Sequence, residues 1–192
     1  MQRAAQRYRL GRSRDGGVIF WQIDEHEVLH DGKIMYYRDD CHRDHDHKPT
    51  WASYLMRKAG QLPEDWRPEH CLFGLHLIGP ADNVCQDKTI CVVESEKTAV
   101  MMSELRPECI WLATGGKTEL NVARLKPLQG RRVILFPDTD TDGSTYREWY
   151  ELAQAAGDVY GQHFTVSAIL EQHATPSQKQ RKIDIADYFF EK

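Results

Sequence analysis

The segment RRVILFPDTDTDG, Arg131 to Gly143, sets Asp138, Asp140 and Asp142 two residues apart directly after an apolar run. In extended chain, residues two apart face the same way. Carboxylates held that close repel, and one of them takes up a proton unless a cation neutralises the group. Three chemistries use such a pattern: a calcium loop, a catalytic divalent-cation site, or an acidic turn whose side chains cap the next helix. The calcium loop fails on spacing. An EF-hand needs glutamate at position 12, and that position is Trp149, with Glu148 one residue early. The apolar run before it also reads as a strand rather than a helix. The cation site and the capping turn both stay open, and Asp142 in particular suits a cap.

A second segment, TGGKT (Thr114 to Thr118), ends like a phosphate-binding P-loop. That motif needs a glycine five residues before Gly116, where Trp111 stands, so no P-loop is present. Gly115 and Gly116 still lie between a strand and a helix, where bare backbone N–H groups can approach an anion. An ordinary tight turn accounts for them equally. A third cluster, CHRDHDH, holds Cys41, His42, His45 and His47. These are zinc-capable residues, but their spacing matches no common zinc motif and acids interleave them, so zinc is not expected.

The elements that position these residues fall into two rhythms. GGVIFWQID and DGKIMYYR read as two strands of a hairpin with a long polar loop. TWASYLMRKAG reads as a helix, with Thr50 as its cap and Gly60 as its stop. CLFGLHLIGP is a short apolar element. From about residue 86 strands and helices alternate. TICVVE, CIWLAT, RRVILFP and HFTVSAIL are the strands. SEKTAVMMSELR, with Ser95 as its cap, is the first helix between them. GGKTELNVARLKPL holds a short helix, and STYREWYELAQAAG is a helix stopped by Gly157. The tail KIDIADYFFEK is amphipathic. Continuous apolar strands alternating with helices predict a parallel α/β sheet. In such sheets ligands bind beyond the carboxyl ends of the strands. Glu94 closes the first strand, and Asp138 and Asp140 close the third. If those strands are neighbours, the three carboxylates converge. Mg²⁺ answers that need, because it accepts one or two carboxylates and keeps several waters.

The 192-residue chain suffices for a full core with a smaller companion, and its net charge of −4 excludes indiscriminate coating of nucleic acid. Positive charge clusters at Arg3, Arg7, Arg9, Arg12 and Arg14, and again at Lys179, Arg181 and Lys182. Such groups either track phosphates or form solvated termini and loops. The five cysteines are irregularly spaced and predict free thiols in a reducing cytoplasm. No run approaches the roughly 18 apolar residues of a membrane span, and the start lacks a secretory apolar core.

A glutamate after one apolar strand and an Asp-x-Asp after another resemble the Toprim domain of bacterial-type primases, topoisomerases and some nucleases. ICVVESEKTAVMMSEL, WLATGGKTELN and RRVILFPDTDTDG match its three landmarks in order, over roughly residues 86 to 170. The likeness is strongest to primase-like proteins of phages and mobile elements, whose first landmark reads VVEGEKDA. The paired strands upstream, CLFGLHLI and the ending KIDIADYF resemble the same proteins. The resemblance implies a Toprim-like (Rossmann-like) parallel sheet flanked by helices over residues 86–192, with a C-terminal helical tail. It places a small α+β subdomain of primase-core type over residues 1–85. It implies Glu94 as general acid or base, and Asp138, Asp140 and Asp142 around Mg²⁺ or Mn²⁺. Arg38, Lys97, Lys117, Gly115 and Gly116 become the expected contacts to nucleic acid or nucleotide phosphate. The implied partners are a DNA or RNA/DNA template and nucleotides, with a zinc-binding module or helicase on another chain. A Toprim nuclease or nickase, and a degenerate DNA-binding module, are the alternative outcomes. Two positions depart from the landmark: Ser95 replaces its usual glycine and Thr98 its usual aspartate.

Overall fold

A computed structural model describes residues 2–79 and 87–191. The chain divides into two compact units, Gln2–Pro80 and Ala81–Lys192. The expected boundary between residues 85 and 86, and Cys85, lie outside the described residues.

The N-terminal unit is built on a four-stranded antiparallel sheet in the order β1-β2-β3-β4. Its strands are β1 (Gly11–Arg12), β2 (Val18–Ile23), β3 (Leu29–Met35) and β4 (Thr50–Trp51). The hairpin of β2 and β3 forms as the sequence predicts, but β3 begins earlier and residues 24–28 alone join the strands. Gly32 explains its own presence there. It pairs across from Trp21, and a Cβ at Gly32 would stand 2.5 Å from the indole Cε3, so only glycine lets the ring lie flat on the strand. Helix α1 (Gln2–Arg7) precedes the sheet and α2 (Ala52–Lys58) follows β4. Thr50 does not cap α2. It pairs with Ile34 in the sheet, and Trp51 is the N-cap residue, with no side-chain cap bond. The core is aromatic: Tyr8 stacks on Phe73 with ring centroids 5.2 Å apart, and Phe20 meets Phe73 edge-on at 5.5 Å.

The C-terminal unit carries a four-stranded parallel sheet in the order β6-β5-β7-β8. Its strands are β5 (Ile90–Val93), β6 (Ile110–Ala113), β7 (Val133–Phe136) and β8 (Phe164–Val166). Every residue of β5 and β6 is buried, as continuous apolar runs require when helices cover both faces. Helix α3 (Glu96–Leu105) follows β5, and α4 (Ser144–Tyr160) links β7 to β8. Ser95 is the N-cap residue of α3, but its side chain makes no cap bond. The segment after β6 forms two 3-10 turns, Lys117–Glu119 and Ala123–Leu128, rather than one helix, and Pro127 lies inside the second. Helix α4 runs through Gly157 and stops at Gly161, which takes the left-handed conformation. Gly157 serves packing instead: a Cβ there would lie 2.9 Å from the Gln162 carbonyl oxygen. Three short helices complete the unit: α5 (Ile169–His173), α6 (Pro176–Arg181) and α7 (Ile185–Phe190). The tail is amphipathic as predicted, with Ile185, Ala186 and Tyr188 buried and Phe190 exposed. Among the described residues no helix is long and apolar enough to cross a membrane.

Candidate active site at the carboxyl edge of the parallel sheet

Strands β5 and β7 are direct neighbours, with Val93 paired to Phe136. The chain therefore leaves the sheet edge at Glu94 and at Pro137–Asp138 side by side. The backbone of Glu94 is fixed from the β6 side. Its carbonyl accepts the Gly115 N–H at 2.9 Å and the Thr114 hydroxyl at 3.3 Å. Gly115 thus uses its amide on the sheet edge, and the Gly116 amide points at Thr114 Oγ1, 3.4 Å away. These amides are engaged within the turn instead of standing bare toward an anion. Gly115 itself takes φ +91°, which explains the glycine.

Asp138 and Asp140, two residues apart, occupy opposite electrostatic environments. Burial pushes the Asp138 carboxyl well above its ordinary proton affinity, and the charges of Glu94, Asp184 and Asp187 push it further. Lys97 acts against them. Asp140 is buried, which alone would raise it, yet its pKa is lowered. The Thr145 hydroxyl (2.6 Å) and amide (2.9 Å) and the Ser144 hydroxyl (2.9 Å) all donate to its Oδ2. Those donors sit in the first turn of α4, so Asp140 is held ionised by the start of a helix. The Gly143 amide also lowers the Asp140 pKa, but the other oxygen, Oδ1, is buried and makes no hydrogen bond of good geometry. A buried anionic oxygen left open is costly unless something polar or cationic meets it.

Asp142 has a different place. It is exposed, its Oδ1 accepts the Ser144 N–H at 3.2 Å, and its carbonyl accepts Arg147 Nη1 at 2.7 Å. It shapes the turn into α4 outside the buried pair.

The structure adds residues that the sequence pattern did not assign to the site. Asp184 and Asp187 form a reciprocal capping box at the start of α7: the Asp187 N–H donates to Asp184 Oδ1 at 2.8 Å, and the Asp184 N–H to Asp187 Oδ2 at 3.3 Å. The hydroxyl of Thr98, on α3, donates to Asp184 Oδ2. A carboxylate from the C-terminal tail thus stands against Thr98 on α3. Burial, and then Asp184, raise the Asp187 pKa. The available signal was DIAD ahead of an apolar run, which reads as a capping pattern.

The other expected contacts are dispersed. Lys97 is half-buried beside the acids. Lys117 lies 3.6 Å from Glu148 in an open ion pair. Arg38 is exposed on the N-terminal unit, 3.8 Å from Asp40. In the Cys41/His42/His45/His47 loop, His47 stacks on Tyr36 and its Nδ1 lies 2.7 Å from Asp44 Oδ2. The second basic cluster is partly neutralised, with Lys179 paired to Glu171 and Arg181 to Glu191.

Among the described residues no three histidine, cysteine, aspartate or glutamate side chains close around a common point as a metal cage. The donor set still fits a cation that keeps most of its waters. Asp140 offers a buried, unpartnered, ionised oxygen, and Asp138 carries the unfavourable charge that a cation relieves.

A profile of the family described as Domain of unknown function (DUF6371) matches residues 1–139. The fold is similar to the crystal structure of the primase fragment of the bacteriophage T7 primase-helicase protein. That likeness has a TM-score of 0.54 and 16% identity, and covers 94% of this chain and 70% of that one. It is also similar to a structure of bacteriophage T7 lagging-strand DNA polymerase interacting with primase domains of two gp4 subunits bound to an RNA/DNA hybrid and dTTP. There the TM-score is 0.51 and the identity 16%, over 85% of this chain and 71% of that one. Two curated relatives match over a short stretch. Arginine–tRNA ligase of Proteus mirabilis (strain HI4320) is 34% identical over 73 residues, covering 34% of this chain. That of Escherichia coli (strain K12 / DH10B) is 36% identical over 73 residues. The chain spans 12% of the length of these ligases.

Proposed function

The chain belongs to the family described as Domain of unknown function (DUF6371), and for it we propose Mg²⁺-dependent nucleotidyl transfer on a nucleic-acid template, through a primase-like Toprim core. One observation carries the reading: neighbouring parallel strands deliver Glu94 and the Asp138/Asp140 pair to one sheet edge, with Asp140 Oδ1 buried and open. The phage primase folds support it at the level of architecture.

In this reading Asp138 and Asp140 hold Mg²⁺ or Mn²⁺. The bound ion supplies charge stabilisation at the attacked phosphate. Glu94 accepts the proton of the attacking hydroxyl as general base. Ser144 and Thr145 keep Asp140 ionised by donating to Oδ2, which leaves Oδ1 for the cation. Lys97 tempers the charge on Asp138 and meets a phosphate of the nucleotide. Lys117 is a second phosphate contact, available by exchanging Glu148 for substrate. Arg38, from the N-terminal unit, contacts template or nucleotide phosphate. The partners are a DNA or RNA/DNA template and nucleotides, together with a helicase or zinc-binding module, as in a mobile-element replication system.

The test is a gel assay with single-stranded template, nucleoside triphosphates and Mg²⁺. Nucleotide-dependent product growth is expected, and Glu94→Gln lowers it by about 10²–10⁴-fold. Shortening of the added strand without product growth would replace transfer by cleavage. Retained strand binding with neither activity would leave a binding module.

A further inference from the structure

Thr139, the residue between the two aspartates, is 1% exposed. The segment that follows β8 holds it twice. Its N–H donates to the Ile183 carbonyl at 3.1 Å, and its hydroxyl donates to Glu171 Oε1 at 3.2 Å. Glu171 is on α5. Its other oxygen, Oε2, accepts Lys179 Nζ from α6 at 2.8 Å, and both side chains are only about a fifth exposed. The Glu171 carboxylate also reaches the far end of the acidic loop. A Cβ on Gly143 would lie 3.4 Å from Glu171 Oε2.

The proposed chemistry assigns no task to this arrangement, yet the loop needs one. Two side chains two residues apart can serve one cation only if the backbone between them is fixed. The start of α4 fixes Asp140 from one side. Among the described residues no hydrogen bond from α4 reaches Thr139, whose φ and ψ set the angle between the flanking side chains. The mostly buried Glu171–Lys179 pair does so: the lysine orients the carboxylate, and the carboxylate holds the threonine hydroxyl. Partners one layer outside a cation's ligands orient those ligands in this way.

We propose that Glu171, held by Lys179, is a positioning residue that acts through Thr139 to set the relative orientation of Asp138 and Asp140. The inference rests on the reading of those two aspartates as cation ligands. Glu171 itself touches neither cation nor substrate.

The experiment uses the full chain and three variants: Thr139→Val, which removes the hydroxyl at nearly constant shape, Thr139→Ser, which keeps it, and Glu171→Gln. Amide hydrogen exchange of residues 138–142 is measured without divalent cation. Mn²⁺ affinity and the electron paramagnetic resonance line shape of bound Mn²⁺ are measured in parallel. In Thr139→Val and Glu171→Gln, exchange is expected to rise about tenfold in this loop while β5 and β7 stay protected. Mn²⁺ affinity is expected to fall about tenfold with an altered line shape. Thr139→Ser restores both. Unchanged loop exchange in Thr139→Val and Glu171→Gln overturns the proposal. Exchange rising equally across β5 and β7 overturns it too, since that marks a general prop. So does loosened loop exchange with unaltered Mn²⁺ affinity and line shape. If the wild-type protein takes up no Mn²⁺ while loop exchange responds as expected, the pinning of the loop stands and the cation reading of the site falls.

Discussion

Asp31 in the N-terminal unit and Asp140 in the C-terminal unit are both buried, and they are held in opposite ways. Asp31, in the N-terminal unit, is closed on all sides. Its Oδ1 accepts the Gly32 N–H at 2.7 Å and the Ser53 N–H at 3.0 Å; its Oδ2 accepts the Ser53 hydroxyl at 2.5 Å, with His70 Nε2 3.5 Å away. Asp140, in the C-terminal unit, is closed at Oδ2 and open at Oδ1. A saturated carboxylate ties β3 to α2 and has nothing left to offer. A half-saturated one is anchored and still able to coordinate. Burial alone therefore does not separate the two acids; the oxygen left open on Asp140 does, and the proposed cation site rests on it.

Substitutions separate the two roles. The largest stability effect is expected at the closed site. Asp31→Ala strands buried donors at Gly32 and Ser53 and costs about 3 kcal/mol. Urea denaturation measures it, and Mg²⁺ affinity of the folded protein stays unchanged. A silent Asp31→Ala would erase the contrast. Asp140→Asn follows, weakening the charged bonds from Ser144 and Thr145 at the start of α4. It costs about 1–2 kcal/mol and also lowers cation affinity.

Asp138→Asn sharpens the comparison because its sign is reversed. In the cation-free protein at neutral pH the substitution removes a carboxyl whose ionisation burial and neighbouring acids oppose, and stabilises by about 1 kcal/mol. The pH dependence follows from the same shifts. Asp138 has a raised folded pKa, so its contribution is fully present below the ordinary value of 3.8 and is lost as pH rises through the raised one. Asp140 has a depressed pKa, so its contribution is present above 3.8 and is lost only as pH falls through the lower value. Lowering pH from neutral toward the ordinary carboxylate range thus makes the Asp138 contribution to the Tm of the cation-free protein rise, while His76, whose pKa burial lowers, acts against it. Asp138→Asn flattens that rise in a thermal scan. A Tm that falls steadily over the same range in the wild type, with no effect of the substitution, would remove the repulsion argument. The smallest effect belongs to Asp142→Ala, which loses one exposed turn bond. It is expected to cost about 0.5 kcal/mol and leave Mg²⁺ affinity within roughly twofold, by titration calorimetry.

The parallel strands were legible because each is an unbroken apolar run with a polar turn on either side. Glu94 and the Asp-x-Asp pair were legible for the same reason, since they stand where such runs end. What stayed hidden depends on contacts between distant segments. Asp184, Asp187 and Glu171 reach the edge only after β8 and three short helices fold back, and local pattern shows them merely as caps and surface acids. Asp31 was hidden in the turn-like pair Asp31-Gly32, whose glycine in fact makes room for Trp21. Gly157 failed as a stop because close packing against Gln162, not backbone reversal, explains it. Thr50 failed as a cap because pairing with Ile34 claims its backbone first.

The central claim is that the open oxygen at the carboxyl edge of β5 and β7 belongs to a cation site. Titration calorimetry with Mg²⁺ and Mn²⁺ on the wild-type protein and on the Asp138→Asn/Asp140→Asn variant tests it most directly. The account predicts saturable binding to the wild type that disappears in the double variant. Equal, weak binding by both proteins would contradict it.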